Sequence, residues 1–381
     1  MKTINRVVAG ACVTATVFGI PQLRADDIAK SLANPPVASF TGHATEVETL
    51  AFNVDGASVG SVSSDSVCLW DPLTGEEAKR LPSGVYQVAA FNRDLSRLAI
   101  AHSFHYEVKN SFKGKLRLID TGNGETLWSI NPHGSWDKKF PFPPFVTAVA
   151  FSPDGRWLAT VGSVTRVGGR HGLAGGVIRL WDVATGKQLW EKDRLSTRVE
   201  AVVFSPDGKH LVVGTAGAGG ELPEPGEVRV LEAESGGTVV SFSHQSVSKI
   251  AIDSKSTLLA MGGSDGTIRI TDAYGKPIKT LKAHLGKPGA SETDPTGLIL
   301  GPQKAVRCVA FSPNSRRVAA AGYDRTVRVW NVETGDETNA FPFDAPRINA
   351  IAFSPNGLYL AAAGGDEKKS GTCLVWRLED L

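Results

Sequence analysis

The sequence predicts an all-β fold: a closed ring of seven small antiparallel sheets built from one repeated unit. Two recurring phrases carry this prediction. The first reads Phe-Ser-Pro-Asp-Gly or a variant, at Phe52–Gly56, Phe91–Leu95, Phe151–Gly155, Phe204–Gly208, Ile252–Ser256, Phe311–Asn314 and Phe353–Asn356. The second follows each copy, at Leu69–Gly75, Leu118–Gly124, Leu180–Gly186, Val230–Gly236, Ile270–Gly275, Val329–Gly335 and, shortened, Val375–Asp380. A unit that recurs every ~40–60 residues must stack on its neighbours to bury its apolar face.

Each unit contains four short apolar runs. Around the third copy of the first phrase they are Val146–Phe151, Trp157–Val161, Val177–Trp181 and Gln188–Trp190. The first run is too short for a helix and rich in β-branched residues, which is typical of a buried strand. The Ser-Pro-Asp-Gly phrase has the chemistry of a tight turn, because proline fixes φ and glycine accepts a positive φ. Four antiparallel strands joined by tight turns form one blade of a β-propeller.

The count of strands predicts how the ring closes. Seven first strands end at Phe52, Phe91, Phe151, Phe204, Ile252, Phe311 and Phe353. Six outer strands follow, at Glu77–Leu81, Thr126–Ile130, Gln188–Trp190, Thr238–Phe242, Pro277–Leu281 and Glu337–Phe341. The last unit has only three strands, whereas a spare strand-like segment, Val37–Phe40, precedes the first unit. We expect Val37–Phe40 to pair with Leu374–Arg377, since this pairing removes an exposed sheet edge.

These repeats resemble the WD40-repeat family. The resemblance covers residues 37–381 and is carried by Gly42-His43, Trp70-Asp71, Trp181-Asp182, Asp324 with Trp330-Asn331, and Trp376. Six-bladed TolB-type propellers share the first phrase, but the Trp-Asp pairs favour WD40, and the phrases suggest an exported, bacterial-type member. The resemblance implies a buried structural network in each repeat, here assigned to His43, Asp65, Trp70, Trp181, His244, Asp265, His284, Asp324, Trp330 and Trp376.

Three blades depart from the family pattern. Ala320 stands where serine is usual in blade six, Thr271 replaces tryptophan in blade five, and blade four ends its third strand on Leu231. We expect these blades to depend more on apolar packing than on a polar network.

The N-terminus predicts export. Lys2 and Arg6 precede an uncharged apolar run, Val7–Ile20, and a small residue, Ala25, stands where a signal peptidase would cut. Residues 1–25 are therefore predicted to be a signal peptide, 26–36 a short linker and 37–381 the propeller. The run is too short for a comfortable membrane span, and no integral membrane segment is expected after cleavage. The expected location is the periplasm or the extracellular space.

Charge and cysteine content narrow the function. Cleavage would remove Lys2, Arg6 and Arg24 from the 41 basic residues and none of the 39 acidic residues, which leaves one more acid than base. A nucleic-acid partner is not expected, because its basic footprint is missing. The cysteines that remain are Cys68, Cys308 and Cys373. Each lies in a predicted strand and is expected to be a small buried residue.

Long connections collect on one face of the predicted propeller. Connections between second and third strands and between blades all emerge there, and they contain the insertions His102–Gly114, Asn131–Pro144, Ser163–Gly176, Ala216–Gly226, Lys282–Lys304 and Gly365–Gly371. The opposite face has only short turns. Loops longer than a tight turn are often functional. We therefore expect the loop-rich face to bind a partner.

The candidate binding residues are aromatic and charged. Aromatic side chains on a proline-rich frame make good anchors, and the residue before each first strand should reach the channel mouth. The candidates are Glu46, Trp136, Phe140, Phe142, Phe145, Arg166, Arg170, Arg198 and Arg347. The aromatic segment could instead fold back as a lid over the blade edge.

The sequence contains no motif of a reaction centre. Serine-hydrolase elbows, zinc-protease helices, haem-attachment motifs and calcium loops are missing, and the histidines His102, His105, His133 and His171 lack metal-ligand spacing. We therefore predict a monomeric, exported and non-catalytic scaffold that binds a protein or peptide without cofactor or metal. The alternatives are a propeller enzyme, hydrolase- or lyase-like, with a site assembled from distant loops, and an accessory subunit of an extracytoplasmic redox enzyme.

Overall fold

A computed structural model describes most of the chain. The described residues are 35–84, 88–101, 115–132, 145–164, 175–195, 197–215, 217, 226–244, 247–283, 291–293, 299–302, 305–366 and 369–379. The repeated units form the expected strands within these ranges. The predicted signal peptide and most of the predicted insertions lie outside them.

The described strands follow one another blade by blade. A first strand, β1 (Ala38–His43), is followed by blade one, with β2 (Val47–Phe52), β3 (Val59–Ser63), β4 (Ser66–Trp70) and β5 (Glu77–Pro82). Blade two has β6 (Val88–Phe91), β7 (Arg97–Ala101), β8 (Leu116–Asp120) and β9 (Thr126–Ile130). Blade three has β10 (Phe145–Phe151), β11 (Trp157–Val164), β12 (Gly175–Asp182) and β13 (Gln188–Leu195).

The second half of the chain repeats this order. Blade four has β14 (Val199–Phe204), β15 (His210–Thr215), β16 (Gly226–Glu232) and β17 (Thr238–His244). Blade five has β18 (Val247–Ile252), β19 (Leu258–Gly263), β20 (Thr267–Asp272) and β21 (Pro277–Lys282). A small hairpin, β22 (Ser291–Thr293) and β23 (Ile299–Pro302), precedes blade six, which has β24 (Cys308–Phe311), β25 (Arg317–Ala321), β26 (Thr326–Asn331) and β27 (Glu337–Pro342). Blade seven has β28 (Arg347–Phe353), β29 (Tyr359–Asp366) and β30 (Lys369–Arg377).

The closing strand lies where the sequence predicted it. Blade seven is a four-stranded sheet in the order β1-β30-β29-β28, so its outer strand comes from the start of the described chain. Ala38 pairs with Val375 and Phe40 pairs with Cys373 in antiparallel register. The closing strand continues to His43, beyond the predicted end at Phe40. The fold is therefore an all-β, seven-bladed propeller closed by an N-terminal strand.

Packing between blades builds the core. Each first strand lies against the first strands of both neighbouring blades, and the ring closes where β28 meets β2. The buried apolar side chains form seven clusters, one between each pair of adjacent blades. No blade thus buries its faces alone, as expected for a repeat fold.

The first repeated phrase joins neighbouring blades as well as turning the chain. Gly208 has a φ of +72°, and a Cβ placed on it would lie 3.7 Å from Cδ of Pro153 in the preceding blade. The same relation joins Gly357 to Pro313 and Gly56 to Pro355. In the degenerate copies, Leu95, Ser256 and Ser315 still adopt φ values of 61°, 60° and 60°. The turn geometry therefore persists where glycine has been replaced, at some cost in strain.

The second phrase packs on the outer strand of the preceding blade. A Cβ on Gly186 would lie 3.0 Å from the Trp128 ring, and one on Gly236 would lie 3.1 Å from the Trp190 ring. Nε1 of Trp128 donates to Val183 O at 2.8 Å, and Nε1 of Trp190 donates to Ala233 O at 3.0 Å. Both phrases recur because each contributes to an interface that recurs.

The prediction that Gly365–Gly371 in blade seven forms a long loop is wrong. In blade seven, β29 extends to Asp366 and β30 begins at Lys369, and these two residues pair. Gly365–Gly371 is therefore mainly hairpin. It lies close to the segment entering blade one, since a Cβ on Gly371 would be 2.3 Å from Thr45 O. In blade three, β11 and β12 likewise extend into both ends of Ser163–Gly176.

Candidate functional site

The candidate site is the end of the central channel from which the long connections emerge, here called the loop-rich end. Every first strand starts at this end, because the blades share one antiparallel order. The pairing of first and second strands shifts register at the same place in five blades, between Val47/Thr49, Val146/Ala148, Val199/Ala201, Val247/Lys249 and Ile348/Ala350. A β-bulge re-aims the side chain of the extra residue.

The uncharged residues at these bulges join the blades. Thr147 Oγ1 donates to Val199 O, Ser248 Oγ donates to Val306 O at 2.8 Å, and Asn349 Nδ2 donates to Val47 O at 3.1 Å. Each bond runs to the start of the next blade's first strand. These side chains therefore hold adjacent blades together through hydrogen bonds.

The charged residues at the same level form what we call the channel cluster: Glu46, Glu48, Glu200, Lys249 and Arg307. Beyond the third position, the described first strands contain no charged residue, as in the runs LAF of blade one and VVF of blade four. Within the described first strands, charge is therefore confined to the loop-rich end.

Burial and a neighbouring acid set the protonation of Glu48. The pKa of Glu48 is raised to about 7, mainly by burial and also by Glu46, which shares a hydrogen bond with it, against the opposing charges of Arg307 and Lys249. Near neutral pH, Glu48 is thus an acid that can carry a proton and donate a hydrogen bond.

Lys249 and Arg307 stand on adjacent blades. Partial loss of hydration lowers the pKa of Lys249, and the charge of Arg307 lowers it further, while Glu200 and Glu48 act in the opposite direction. Lys249 is exposed to solvent. Nη1 of Arg307 donates to the Tyr323 hydroxyl at 2.7 Å, and its guanidinium lies 5.3 Å from that ring.

Four of the predicted binding residues are described, and the structure brings them together in two pairs. Arg347 Nη1 lies 3.8 Å from Glu46 Oε2, and the Arg198 guanidinium lies 5.8 Å from the Phe145 ring. Arg198 also forms an ion pair with Glu200. Trp136, Phe140, Phe142, Arg166 and Arg170 lie outside the described residues, as do His102, His105, His133 and His171.

Sequence reasoning missed four members of the channel cluster. It considered only the residue before each first strand, and so it included Glu46 but not Glu48, Glu200, Lys249 or Arg307. The available signal was a charged residue inside an otherwise apolar strand, as in VETLAF and VSKIAI. A charged residue in such an apolar strand is unusual, because charged residues are seldom buried without a partner.

The predicted structural network is complete in blade one. Trp70 Nε1 donates to Ser61 Oγ at 3.0 Å, and Ser61 Oγ lies 2.7 Å from His43 Nε2. His43 Nδ1 lies 2.7 Å from Ser63 Oγ, which donates to Asp65 Oδ1 at 2.7 Å. Burial would raise the pKa of Asp65, but hydrogen bonds from Ser63, Ser66 and Thr45 outweigh it and hold the pKa well below its usual range. The geometry gives these residues a structural role.

Parts of the same network recur among the described residues of other blades. In blade three, Trp181 Nε1 donates to Thr160 Oγ1 at 2.9 Å. In blade five, Asp265 accepts from Thr267 Oγ1 at 2.7 Å and pairs with Arg269 at 2.6 Å. The remaining positions of the prediction are buried His244, Trp330 and Trp376, Asp324 beside Arg328, and His284, which lies outside the described residues.

The described cysteines are buried free thiols, as predicted. Cys68, Cys308 and Cys373 are each at most 6% exposed. Burial raises the pKa of Cys68 to about 11 and that of Cys308 to about 12. These thiols are therefore protonated and unreactive near neutral pH.

In the described ranges, no group of three or more His, Cys, Asp and Glu side chains is arranged to hold a metal ion. No helix among the same residues has the length and hydropathy that a membrane crossing requires.

Comparison with known proteins shows what the chain is similar to. The family model for the WD domain, G-beta repeat, matches residues 34–71, 124–182, 236–272, 294–331 and 340–377, which together exceed half of the chain. The first match runs from the closing strand to the end of β4, and the last match ends with β30. A family repeat therefore begins with the outer strand of one blade and ends with the third strand of the next.

Individual relatives are distant. The nuclear distribution protein nudF of Aspergillus niger is 26% identical over 78% of this chain and 52% of its own length. The pre-mRNA-processing factor 19 homolog 2 of Arabidopsis thaliana is 24% identical over 80% of this chain and 50% of its own. An uncharacterised WD repeat-containing protein of Synechocystis is 27% identical over 50% of this chain and 48% of its own. The chain thus spans about half the length of the curated relatives that it matches, and by its repeats and its fold it belongs to the WD40 repeat family.

Proposed function

We propose that this chain is an exported, monomeric scaffold that binds a protein or peptide at its loop-rich end and has no catalytic role of its own. WD40 propellers generally act as protein-interaction scaffolds, which supports the general class. The observation that carries the proposal for this chain is that, within the described first strands, charged residues stand only near the loop-rich end. An inner ring that served packing alone would not need charged side chains there, since desolvating them costs free energy.

The paired groups at the rim suit a docking surface. Arg198 contacts both Phe145 and Glu200, so an aromatic face and a guanidinium are held together at the channel mouth. Arginine and aromatic residues are enriched at the energetic centres of interfaces. The near-neutral charge of the chain favours a protein or peptide over a nucleic acid.

Export is the second part of the proposal, together with the division into a signal peptide (1–25), a linker (26–36) and the propeller. It is supported by the basic start, the apolar run and Ala25, and the FSPDG phrases suggest a bacterial-type member. The test is mass spectrometry of the protein from its native host. We expect Asp26 at the N-terminus in an extracytoplasmic fraction. An intact Met1 on soluble cytosolic protein would overturn this part.

The binding claim is tested by comparative capture. Tagged mature chain would be incubated with an extracytoplasmic extract of the native host, beside the variants Phe145→Ala and Arg198→Glu and the matched variant Lys209→Glu on the opposite face. We expect one set of captured proteins to be lost from both rim variants and kept by Lys209→Glu. Equal capture by all four proteins would contradict the choice of face.

A further inference from the structure

We infer that the channel cluster binds a carboxylate of the partner, with Lys249 and Arg307 as its two cationic contacts. The ligand class is an acidic peptide segment that places one carboxylate in the channel mouth. This inference rests on the proposed function, because it names the chemistry of the partner at the same end of the propeller.

Neither Lys249 nor Arg307 forms an ion pair with an acid among the described residues. Among the described residues, Lys249 forms neither a hydrogen bond nor an ion pair, and Arg307 bonds only to the neutral Tyr323 hydroxyl. Arg307 Nε is buried and has no hydrogen-bond partner there. A buried donor on a charged group is costly when it stays unpaired. An occupant that accepts hydrogen bonds would remove this cost.

The neighbouring arginines show the contrast. Arg198 pairs with Glu200, and Arg347 lies 3.8 Å from Glu46. Glu46 and Glu200 are therefore already engaged, and the pKa of Glu48 is raised to about 7, so that it carries a proton over part of the neutral range. Lys249 and Arg307 instead act on each other as like charges. Two cations that form no ion pair with the acids near them can both contact an anion from outside the chain.

The geometry suits a carboxylate. An arginine offers its donors in a planar edge that matches two carboxylate oxygens, and a lysine supplies a point charge beside it. Tyr323 fixes Nη1 of Arg307 from one side, which leaves Nε as the donor without a partner. Protonation of Glu48, which shares a hydrogen bond with Glu46, removes a negative charge that would repel this ligand.

The charges that face this site predict its pH dependence. They belong to Glu46, Glu48, Arg198, Glu200, Lys249, Arg307 and Arg347, with the protonated Cys308 thiol behind them. Of these, Glu48 gains a proton as the pH falls through about 7, and the site then becomes more positive. A peptide carboxylate stays ionised down to about pH 5, so its affinity should rise as the pH falls from about 8 to about 6.

The experiment measures binding of defined peptides to the mature chain by NMR titration. The probes are acetyl-Ala-Glu-Ala-amide, its neutral isostere acetyl-Ala-Gln-Ala-amide, and acetyl-Ala-Ala-Ala with a free C-terminal carboxylate. The glutamate peptide should bind, and the glutamine peptide should bind about tenfold or more weakly, since a charge-assisted hydrogen bond is lost. The third peptide shows whether the carboxylate of a chain end serves as well as that of a side chain.

Three variants locate the site. Lys249→Met and Arg307→Met keep most of the side-chain volume and should each weaken the glutamate peptide about tenfold, with unchanged melting temperatures as evidence of folding. Glu48→Gln mimics the protonated acid, so it should bind at about pH 8 as wild type does at about pH 6. Equal affinity for the glutamate and glutamine peptides, no binding at millimolar concentration, or insensitivity to both methionine variants would overturn the inference.

The comparative capture experiment separates this inference from the proposed function. If the partner is still lost from the Phe145 and Arg198 variants but the peptides do not distinguish carboxylate from amide, the scaffold proposal stands and the carboxylate site fails. If the Phe145 and Arg198 variants capture the same proteins as wild type while the glutamate peptide still binds, the carboxylate site stands and the scaffold proposal fails.

Discussion

Nε2 of His43 lies 2.7 Å from Oγ of Ser61, although His43 ends the closing strand of blade seven and Ser61 stands in blade one. Phe40 of the same closing strand stacks on Trp70 of blade one, with ring centroids 5.3 Å apart. The closing strand is therefore hydrogen-bonded to blade seven along its backbone and anchored in blade one through its side chains. Closure of the ring depends on both contacts.

Acid should weaken this closure through His43. Burial lowers the pKa of His43 to about 4, and Arg80 adds to the shift, while Asp65 and Glu77 oppose it. The folded state holds the ring neutral, whereas the unfolded state binds a proton near pH 6.5. Stability is therefore fully present above about pH 6.5 and is lost as the pH falls toward 4, by roughly 3 kcal/mol at most.

Denaturant unfolding at about pH 7.5 and about pH 4.5 measures this loss. His43→Gln removes the titrating group, so the variant should be less stable at the higher pH but lose less on acidification. An identical loss in wild type and variant would assign the acid sensitivity to other groups.

Removal of the closing strand should destabilise the whole ring. Deletion of residues 26–40 takes away Phe40 and the pairing of Ala38 with Val375, which leaves β30 with an open edge. Open edges pair with other chains, so the truncated protein should melt at a lower temperature and aggregate. Deletion of residues 26–34 leaves β1 whole and serves as the control. A 26–40 deletion that melts with the full mature chain would refute closure by this strand.

A glycine pair tests the interface at the closing strand. Gly75 and Gly155 have φ values of +75° and +73°, so alanine strains both turns alike. A Cβ at Gly75 would lie 2.3 Å from the backbone oxygen of Ser39 in β1, whereas a Cβ at Gly155 meets nothing within 4 Å. Gly75→Ala should therefore cost clearly more than Gly155→Ala, whose cost is about 1 kcal/mol. If Gly75→Ala and Gly155→Ala lose equal free energy of unfolding, strand β1 can move away from the new methyl group without destabilising the protein.

The blades and their closure could be predicted because their signals are local. All seven first strands end at the predicted residues, from Phe52 to Phe353, since a turn phrase follows each end and its fullest copies contain both proline and glycine. The closing strand followed from counting, because an outer strand was missing at one end and spare at the other. Several strands extend beyond their predicted ends, for example to Leu195 and to His244, because the apolar pattern there contains no residue that marks the end of a strand.

The channel cluster could not be predicted in the same way. Lys249 and Glu200 lie in adjacent blades and come near each other only through the packing of those blades, which the sequence does not spell out. The bulge that re-aims Glu48 adds one residue to a strand without a glycine or proline to mark it. Prediction from the residue before each strand reached the two rim pairs and missed the charges two or three positions further along.

The last prediction concerns the aromatic anchors of the loop-rich face. Phe145 lies against Arg198 at the start of β10, and the sequence places Trp136 in the proline-rich insertion that leads to it. If these rings anchor the partner, Trp136→Ala and Phe145→Ala should each weaken binding by on the order of 2 kcal/mol. Their melting temperatures should change little, because a surface loop enters stability mainly through closure entropy, about 0.6 kcal/mol per doubling of length.

Charge reversal on the opposite face is the control for these anchors. Arg156 and Lys209 follow the turns that end β10 and β14, at the far end of the channel. Arg156→Glu and Lys209→Glu alter the charge of the protein as strongly as any rim variant does, so they separate a local contact from a general electrostatic effect. The affinity of each variant for the captured partner, measured by calorimetry, decides between the faces. If the reversals abolish binding while both alanine variants retain it, the partner docks on the short-turn face.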